Sequence, residues 1–228
     1  MKTIIALTFI GILTYAFAEE PSEKTECKHE PMANFDSTKY LQITRAFATH
    51  SRERTGAIIC RLYKTEQSGD KTGKIDTNIY EYYLKRRDIY YSEVHCNTTE
   101  RRIKKGEFVS SCKQVMVTAR RSGTTKIPKS RIMKVYTSVI DTDYDKYIIL
   151  YKCIKTKSGI KDNIEVLQTD INAGDEPIKQ ALEKNGMELE DFIPFFSNAC
   201  LIGSSPAFIS VCNTSILSLI PDLVLIHL

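Results

Sequence analysis

The fold predicted for this chain is all-β, an eight-stranded antiparallel up-and-down barrel with one C-terminal helix. Three observations carry that prediction. The first is the run Thr137 to Cys153, TSVIDTDYDKYIILYKC, in which Tyr147, Ile149, Tyr151 and Cys153 fall on one side of an alternating strand. Ile148, Leu150 and Lys152 fall on the other side. The Asp141, Thr142, Asp143 and Asp145 cluster ahead of them is turn chemistry, because short polar side chains hydrogen-bond their own backbone. Val135, Thr137 and Val139 alternate before that turn, so the unit is an antiparallel hairpin ending in a cysteine. The second observation is an export signal followed by seven cysteines. The third is a series of short strand-like runs with turn punctuation between them.

Residues 1–18 read as a signal peptide, with Lys2 as the positive region, Ile4 to Phe17 as the apolar stretch, and Ala16-Phe17-Ala18 as the cleavage site. Export places the remaining chain in an oxidising compartment. Residues 19–200 then form one domain with a sizeable core. The strand-like runs are Tyr40 to His50, Ala57 to Thr65, Thr77 to Leu84, Ile89 to Cys96, Glu107 to Ala119, Ile132 to Val139, Tyr147 to Ile154, and Ile164 to Thr169. Gly69, Gly73, Gly106, Gly123, Pro128 and Gly159 punctuate the connections. One helix follows. Asp175 is its expected N-cap, Pro177 lies in its first turn, and Ile178, Ala181 and Leu182 form a narrow apolar stripe. Gly186 after Asn185 provides a left-handed stop. Leu189, Phe192, Ile193, Phe195 and Phe196 are then available to pack on a barrel wall. A closing helix after eight strands favours a barrel over an immunoglobulin sandwich, and eight strands can enclose one small ligand.

Residues 201–228 are an atypical apolar tail. Pro221 and Asp222 interrupt it and make it a poor membrane span. Gly203, Ser204 and Ser205 would suit a lipid-anchor signal, but an extra strand or an extension is the preferred reading.

The cysteines are Cys27, Cys60, Cys96, Cys112, Cys153, Cys200 and Cys212, with no CxxC pair and no zinc-like spacing. Disulfides are their natural use. Cys96 ends one strand run and Cys112 sits in the next, so a local cross-strand bridge is expected, contributing roughly 3 kcal/mol in the chain-entropy model. Cys212, in the tail, is the candidate for the odd cysteine.

The formal net charge is +4 and is spread over clusters: Lys85-Arg86-Arg87, Arg101, Arg102, Lys104 and Lys105, and Arg120-Arg121. Solvated loops are the plain reading, and attraction to polyanions or anionic cell surfaces the sharper one. No recognition motif for nucleic acid accompanies the charge.

Chemistry-bearing constellations are sparse. His29, His50, His95 and His227 form no Ser-His-Asp order and no HExxH motif, and no Gly-rich phosphate loop precedes a helix. Catalysis is therefore not expected, and neither a metal nor a cofactor is. His50 and His95 could ligate haem near a rim, though strand-end hydrogen bonding is the plainer role. Tyrosines are plentiful in the strands. Tyr80, Tyr82, Tyr136, Tyr147 and Tyr151 are the candidate lining of a pocket with hydroxyl handles, set against ordinary barrel core. Asn97-Thr98-Thr99 is a glycosylation sequon just past a strand end, and Asn213-Thr214-Ser215 is a second.

The opening ECKHEPMANFDSTKYLQITRAFATHS, the tripeptide Thr142-Asp143-Tyr144 and the helix IKQALEKNGMELEDF together resemble the triabin family of salivary lipocalins of blood-feeding bugs, within the calycin superfamily. The resemblance runs from Cys27 to Cys200. It implies the bridges Cys27–Cys153, Cys60–Cys200 and Cys96–Cys112. Ile43-Thr44-Arg45 stands where broader lipocalins carry Gly-x-Trp, and the first strand looks closer to pallidipin- and triafestin-like members than to haem carriers. The implied function is that of a secreted, monomeric glycoprotein that impairs host haemostasis. It would inhibit platelet aggregation or contact-phase coagulation by holding a small eicosanoid or amine agonist in the barrel, or by binding a clotting protein through its loops. The alternative is a carrier of haem with nitric oxide, or of another small hydrophobic ligand. Stable membrane insertion is not part of either reading.

Overall fold

A computed structural model describes residues 26–53, 57–68, 72–85, 88–129 and 131–195. The signal peptide, the tail, Arg86, Arg87, Phe196, Cys200, Cys212, the second sequon and His227 lie outside the described residues. The elements are, in order, α1 (Ser37–Tyr40), β1 (Arg45–Ser51), β2 (Ala57–Gln67), β3 (Lys74–Lys85), β4 (Asp88–Thr99), α2 (Glu100–Ile103) and β5 (Glu107–Ala119). Then come β6 (Thr125–Lys126), β7 (Met133–Thr142), β8 (Tyr147–Thr156), β9 (Gly159–Gln168), α3 (Glu176–Lys184) and β10 (Ile193–Pro194).

Antiparallel neighbours run β1-β2-β3-β4-β5-β7-β8-β9, and β9 returns to pair with β1, which closes an eight-stranded barrel. The two-residue β6 and β10 attach to β5 and β1 at its margins. Each expected strand run is present. The first is shorter than predicted, because Asp36 caps a helical turn that runs into its first residue. Its Oδ1 accepts from the amides of Thr38 at 2.9 Å and Lys39 at 3.1 Å, so Ser37–Tyr40 coils and the strand begins only at Arg45.

The β7–β8 turn works through Asp143, whose Oδ1 accepts from the amides of Asp145, Lys146 and Tyr147 at 2.7–3.1 Å. Tyr144 takes a left-handed φ of 65° there. Asp141 and Thr142, expected in that turn, belong instead to β7. Asp141 is buried and accepts from Lys184 at 3.3 Å and Asn185 at 3.0 Å, which ties the end of α3 to the barrel.

α3 lies on the outer wall. Ile178, Ala181 and Leu182 are buried against Ile149, Tyr151, Cys153 and Val166. Burying Ile178 and Leu182 stabilises by roughly 1.5–3 kcal/mol each, which fixes the helix to β8 and β9. The expected N-cap role of Asp175 is corrected: its side chain makes no capping bond, because its backbone is already helical at φ −85°, ψ −8°. Gly186 provides the stop, at φ 70°.

Cys27 is bridged to Cys153, which straps the N-terminal segment across the outside of β8, and Cys96 is bridged to Cys112 between paired residues of β4 and β5. Cys60 is buried and disulfide-bonded.

Candidate ligand-binding chamber

Strand alternation gives β8 two faces. Ile149, Tyr151 and Cys153 meet α3, while Ile148, Leu150 and Lys152 look into the barrel. The inward residues of all eight barrel strands surround a cavity of about 650 Å³. Its floor lies at the α1 end and is apolar: Tyr40, Ile43, Ala46, Ile79, Phe108 and Leu167 contribute, together with the Cys96–Cys112 bridge. Beneath it Leu41, Ile75 and Ile103 form a plug, with Ile103 supplied by α2. Burial pushes the Tyr40 hydroxyl up to about 12, so it stays protonated as a donor.

Above the floor runs a belt of charge. Arg61 of β2 donates from Nε to Glu81 of β3 at 2.7 Å and from a terminal guanidinium nitrogen to Glu165 of β9. Tyr63 donates to the second Glu165 oxygen at 2.6 Å. Lys152 lies 2.5 Å from the Tyr63 hydroxyl and 3.4 Å from Glu165. Two cations thus meet two carboxylates, and the belt is neutral.

Burial alone would raise the Glu165 carboxyl. The Arg61 and Lys152 charges, together with the Tyr63 and Arg61 hydrogen bonds, outweigh it and hold the group at about 2. Burial holds Lys152 below its ordinary value despite Glu165, and Arg61 works in the same direction. Burial raises the Tyr63 phenol, and Glu165 beside it raises it further. Such a network can be enclosed because every charge in it faces an opposite charge.

None of the five predicted tyrosines lines this chamber. Tyr80 and Tyr82 sit on the outward phase of β3, packed against Phe47, Cys60 and Leu62. Tyr136, Tyr147 and Tyr151 sit on the outward phase of β7 and β8, under α3 and the N-terminal strap. There Tyr151 donates to Asp162 at 2.9 Å and Tyr136 to Glu107 at 2.8 Å. The physical reason is a one-residue phase: the period-two pattern fixes which residues share a face but not which face is inside. The tyrosines that do line the chamber are Tyr40 and Tyr63.

The described histidines also lie outside. His95 is on the outer phase of β4, 3.9 Å from Glu93, and His29 stacks on Tyr151 at 5.0 Å. His50 is turned outward by a bulge between Ala48 and His50, after which it opposes Val166 and approaches Asp175 at 4.0 Å. Burial lowers its pKa against the pull of Asp175. Among the described residues no cluster of histidine, cysteine and carboxylate side chains could hold a metal ion. No helix among them is long and apolar enough to cross a membrane. Asn97 is exposed on the outer wall near the end of β4, opposite Ser111.

Known proteins share this architecture and sequence. Among solved structures, a biogenic amine-binding protein superposes with a TM-score of 0.56 at 15% identity, covering 83% of this chain and 96% of that one. The tryptamine complex of the amine-binding protein of Rhodnius prolixus gives 0.56 at 16% identity, covering 80% and 98%. At these identities the likeness concerns the fold. In sequence, pallidipin of Meccus pallidipennis is 37% identical over 84% of this chain and 94% of its own length. The platelet inhibitor triplatin-2 of Triatoma infestans is 33% identical over 88% of this chain and 100% of its own. The Triabin family model matches residues 16–181. On the barrel, its disulfides and these matches, this chain belongs to the triabin family.

Proposed function

We propose that this protein is exported and impairs host haemostasis by holding a small agonist of platelet activation in the barrel, without transforming it. The observation that carries the proposal is the chamber itself: about 650 Å³, apolar at the floor and charged midway. That shape suits a ligand with a hydrocarbon body and one polar end. The belt favours an acceptor on that end. Both oxygens of Glu165 are already engaged by Arg61, Tyr63 and Lys152, whereas the Lys152 ammonium has three donors and two acceptors within 3.4 Å. An acidic lipid mediator of the eicosanoid type therefore fits better than an amine. The name of one relative, the platelet inhibitor triplatin-2, supports the platelet side of this reading.

Within the same proposal, residues 1–18 are the cleaved signal, 19–200 the barrel domain and 201–228 a separate tail. Cys60 pairs with Cys200, and Asn97 carries a glycan. The protein acts as a monomer and not as an enzyme.

Titration calorimetry with a thromboxane analogue, a leukotriene and a biogenic amine tests the pocket route, with one-to-one heat expected for an acidic lipid. Val94→Trp, which places an indole in the chamber, should abolish that heat and platelet inhibition together. Inhibition that survives in Val94→Trp, with no ligand bound by either protein, would transfer the activity to the loops and a clotting protein.

A further inference from the structure

The loops at the open end of the barrel have a composition that the chamber does not explain. The β5–β7 connection, residues 120–132, reads RRSGTTKIPKSRI and contains five cations and no carboxylate. Two isoleucines stand out of it into solvent, Ile127 at 81% and Ile132 at 65% exposure. Lys126, Lys129 and Arg131 flank them and are exposed. The neighbouring β8–β9 turn adds exposed Lys155 and Lys157, again without a carboxylate between Ile154 and Lys161. The acids described nearby are Asp88, Glu53 and Asp162, the last of which borders the cavity and accepts from Tyr151 at 2.9 Å. Asp88 is occupied, its Oδ1 accepting from the amides of Ile89 and Arg121 at 2.9 and 3.1 Å. Arg131 and Met133 border the cavity, so this surface surrounds its mouth.

We infer that this rim is a docking surface for anionic phospholipid bilayers. Isolated exposed isoleucines are ordinary, but a pair of them interleaved with exposed cations is the pattern of a peripheral lipid contact. The cations are drawn to the negative surface, and the isoleucines enter the headgroup and acyl boundary. A sulfated polysaccharide would meet the same cations but would gain nothing from Ile127 and Ile132. The apolar pair is what selects a bilayer as the occupant. Docked this way, the barrel presents its mouth to the membrane, so a lipid-derived ligand reaches the chamber without crossing bulk water. The contact is reversible and is made by the rim alone.

Co-sedimentation of the full disulfide-bonded chain with phosphatidylcholine vesicles, with and without about one third phosphatidylserine, tests the inference. Binding is expected with phosphatidylserine only, weakening as salt rises from 0.05 to 0.3 M on the scale of about 10 Å screening at 0.1 M. Reversing Lys126 and Lys129 to glutamate should reduce the vesicle partition coefficient at least about 25-fold, at about five-fold per lysine. Ile127→Ser should reduce it about five-fold while keeping all cations, since it removes an apolar group that the interface buries. None of these residues lines the cavity, so ligand heat and circular dichroism should stay at wild-type levels. Absence of binding to phosphatidylserine vesicles overturns the inference. So does equal binding to phosphatidylcholine alone, or retention of wild-type partitioning by the double reversal. Ile127→Ser with unchanged partitioning, together with tight retention on heparin, would replace the bilayer by a polyanion.

Discussion

The residue on which the chamber turns is Glu165, enclosed among Arg61, Tyr63 and Lys152. Its carboxyl sits at about 2 in the folded protein, against an ordinary value of 4.5. The group therefore contributes stability at neutral pH, and that contribution is lost as pH falls from the ordinary value toward about 2. Glu165→Gln leaves Arg61 and Lys152 buried without their carboxylate and should cost about 3–5 kcal/mol at pH 7, measured by urea unfolding. The gap between variant and wild type should close across the acid window just named. Glu81→Leu probes the same belt differently, because its side chain offers no acceptor and so releases the Arg61 Nε donor that now faces Glu81. Affinity for an acidic lipid should rise and affinity for an amine fall, by about five- to ten-fold each, an ordinary charge-assisted hydrogen bond. Calorimetry on both ligands reads the two signs. This belt was hidden in the sequence for a physical reason. Arg61, Glu81, Lys152 and Glu165 lie far apart along the chain, and each looks like a charge on a solvated strand face. Only Lys152 gave a signal, since alternation puts it on the same face as Ile148 and Leu150.

Strands and turns were far more legible. Alternation, glycines and the Asp143 turn marked all eight barrel strands, and the stripe Ile178, Ala181, Leu182 marked α3. The phase of the strands was not legible, because β7, β8 and β9 are buried on both faces, inside the barrel and under α3. Tyr147 and Tyr151 therefore looked as suited to a pocket wall as Ile148 and Leu150. The first strand starts later than its alternation implies, because the Asp36 cap diverts the chain into α1. One connection is set tightly by packing. Gly106 sits at φ 76°, and a Cβ there would stand 3.0 Å from the Pro31 Cβ and 3.1 Å from the Phe35 Cγ. Its carbonyl accepts from Val139 at 2.8 Å, so it cannot swing away without breaking the contact to β7. Gly106→Ala should lower stability by about 2–4 kcal/mol, combining the left-handed penalty with displacement of the strap. Equilibrium urea unfolding measures it, and an unchanged slope would show that the denatured state is unaffected.

At the scale of the molecule, the barrel is held shut by the β1–β9 ladder and clamped outside by the Cys27–Cys153 strap. A bridge closing 126 residues contributes about 5 kcal/mol in the chain-entropy model. The frame therefore does not depend on ligand. A bound agonist should add to its stability by mass action, about 2.7 kcal/mol at a hundred times its dissociation constant. Thermal unfolding with increasing acidic lipid checks this, and the midpoint should climb logarithmically beyond saturation. Val94→Trp should show no such climb. The irregularity at Ala48/His50 reaches further than its size implies. Were the first strand evenly paired there, the imidazole of His50 would oppose Glu165 and hang inside the barrel. One residue more or fewer in that stretch would swing the imidazole from the outer wall into the hollow. The contents of the chamber are thus set by spacing along this strand as well as by side-chain identity.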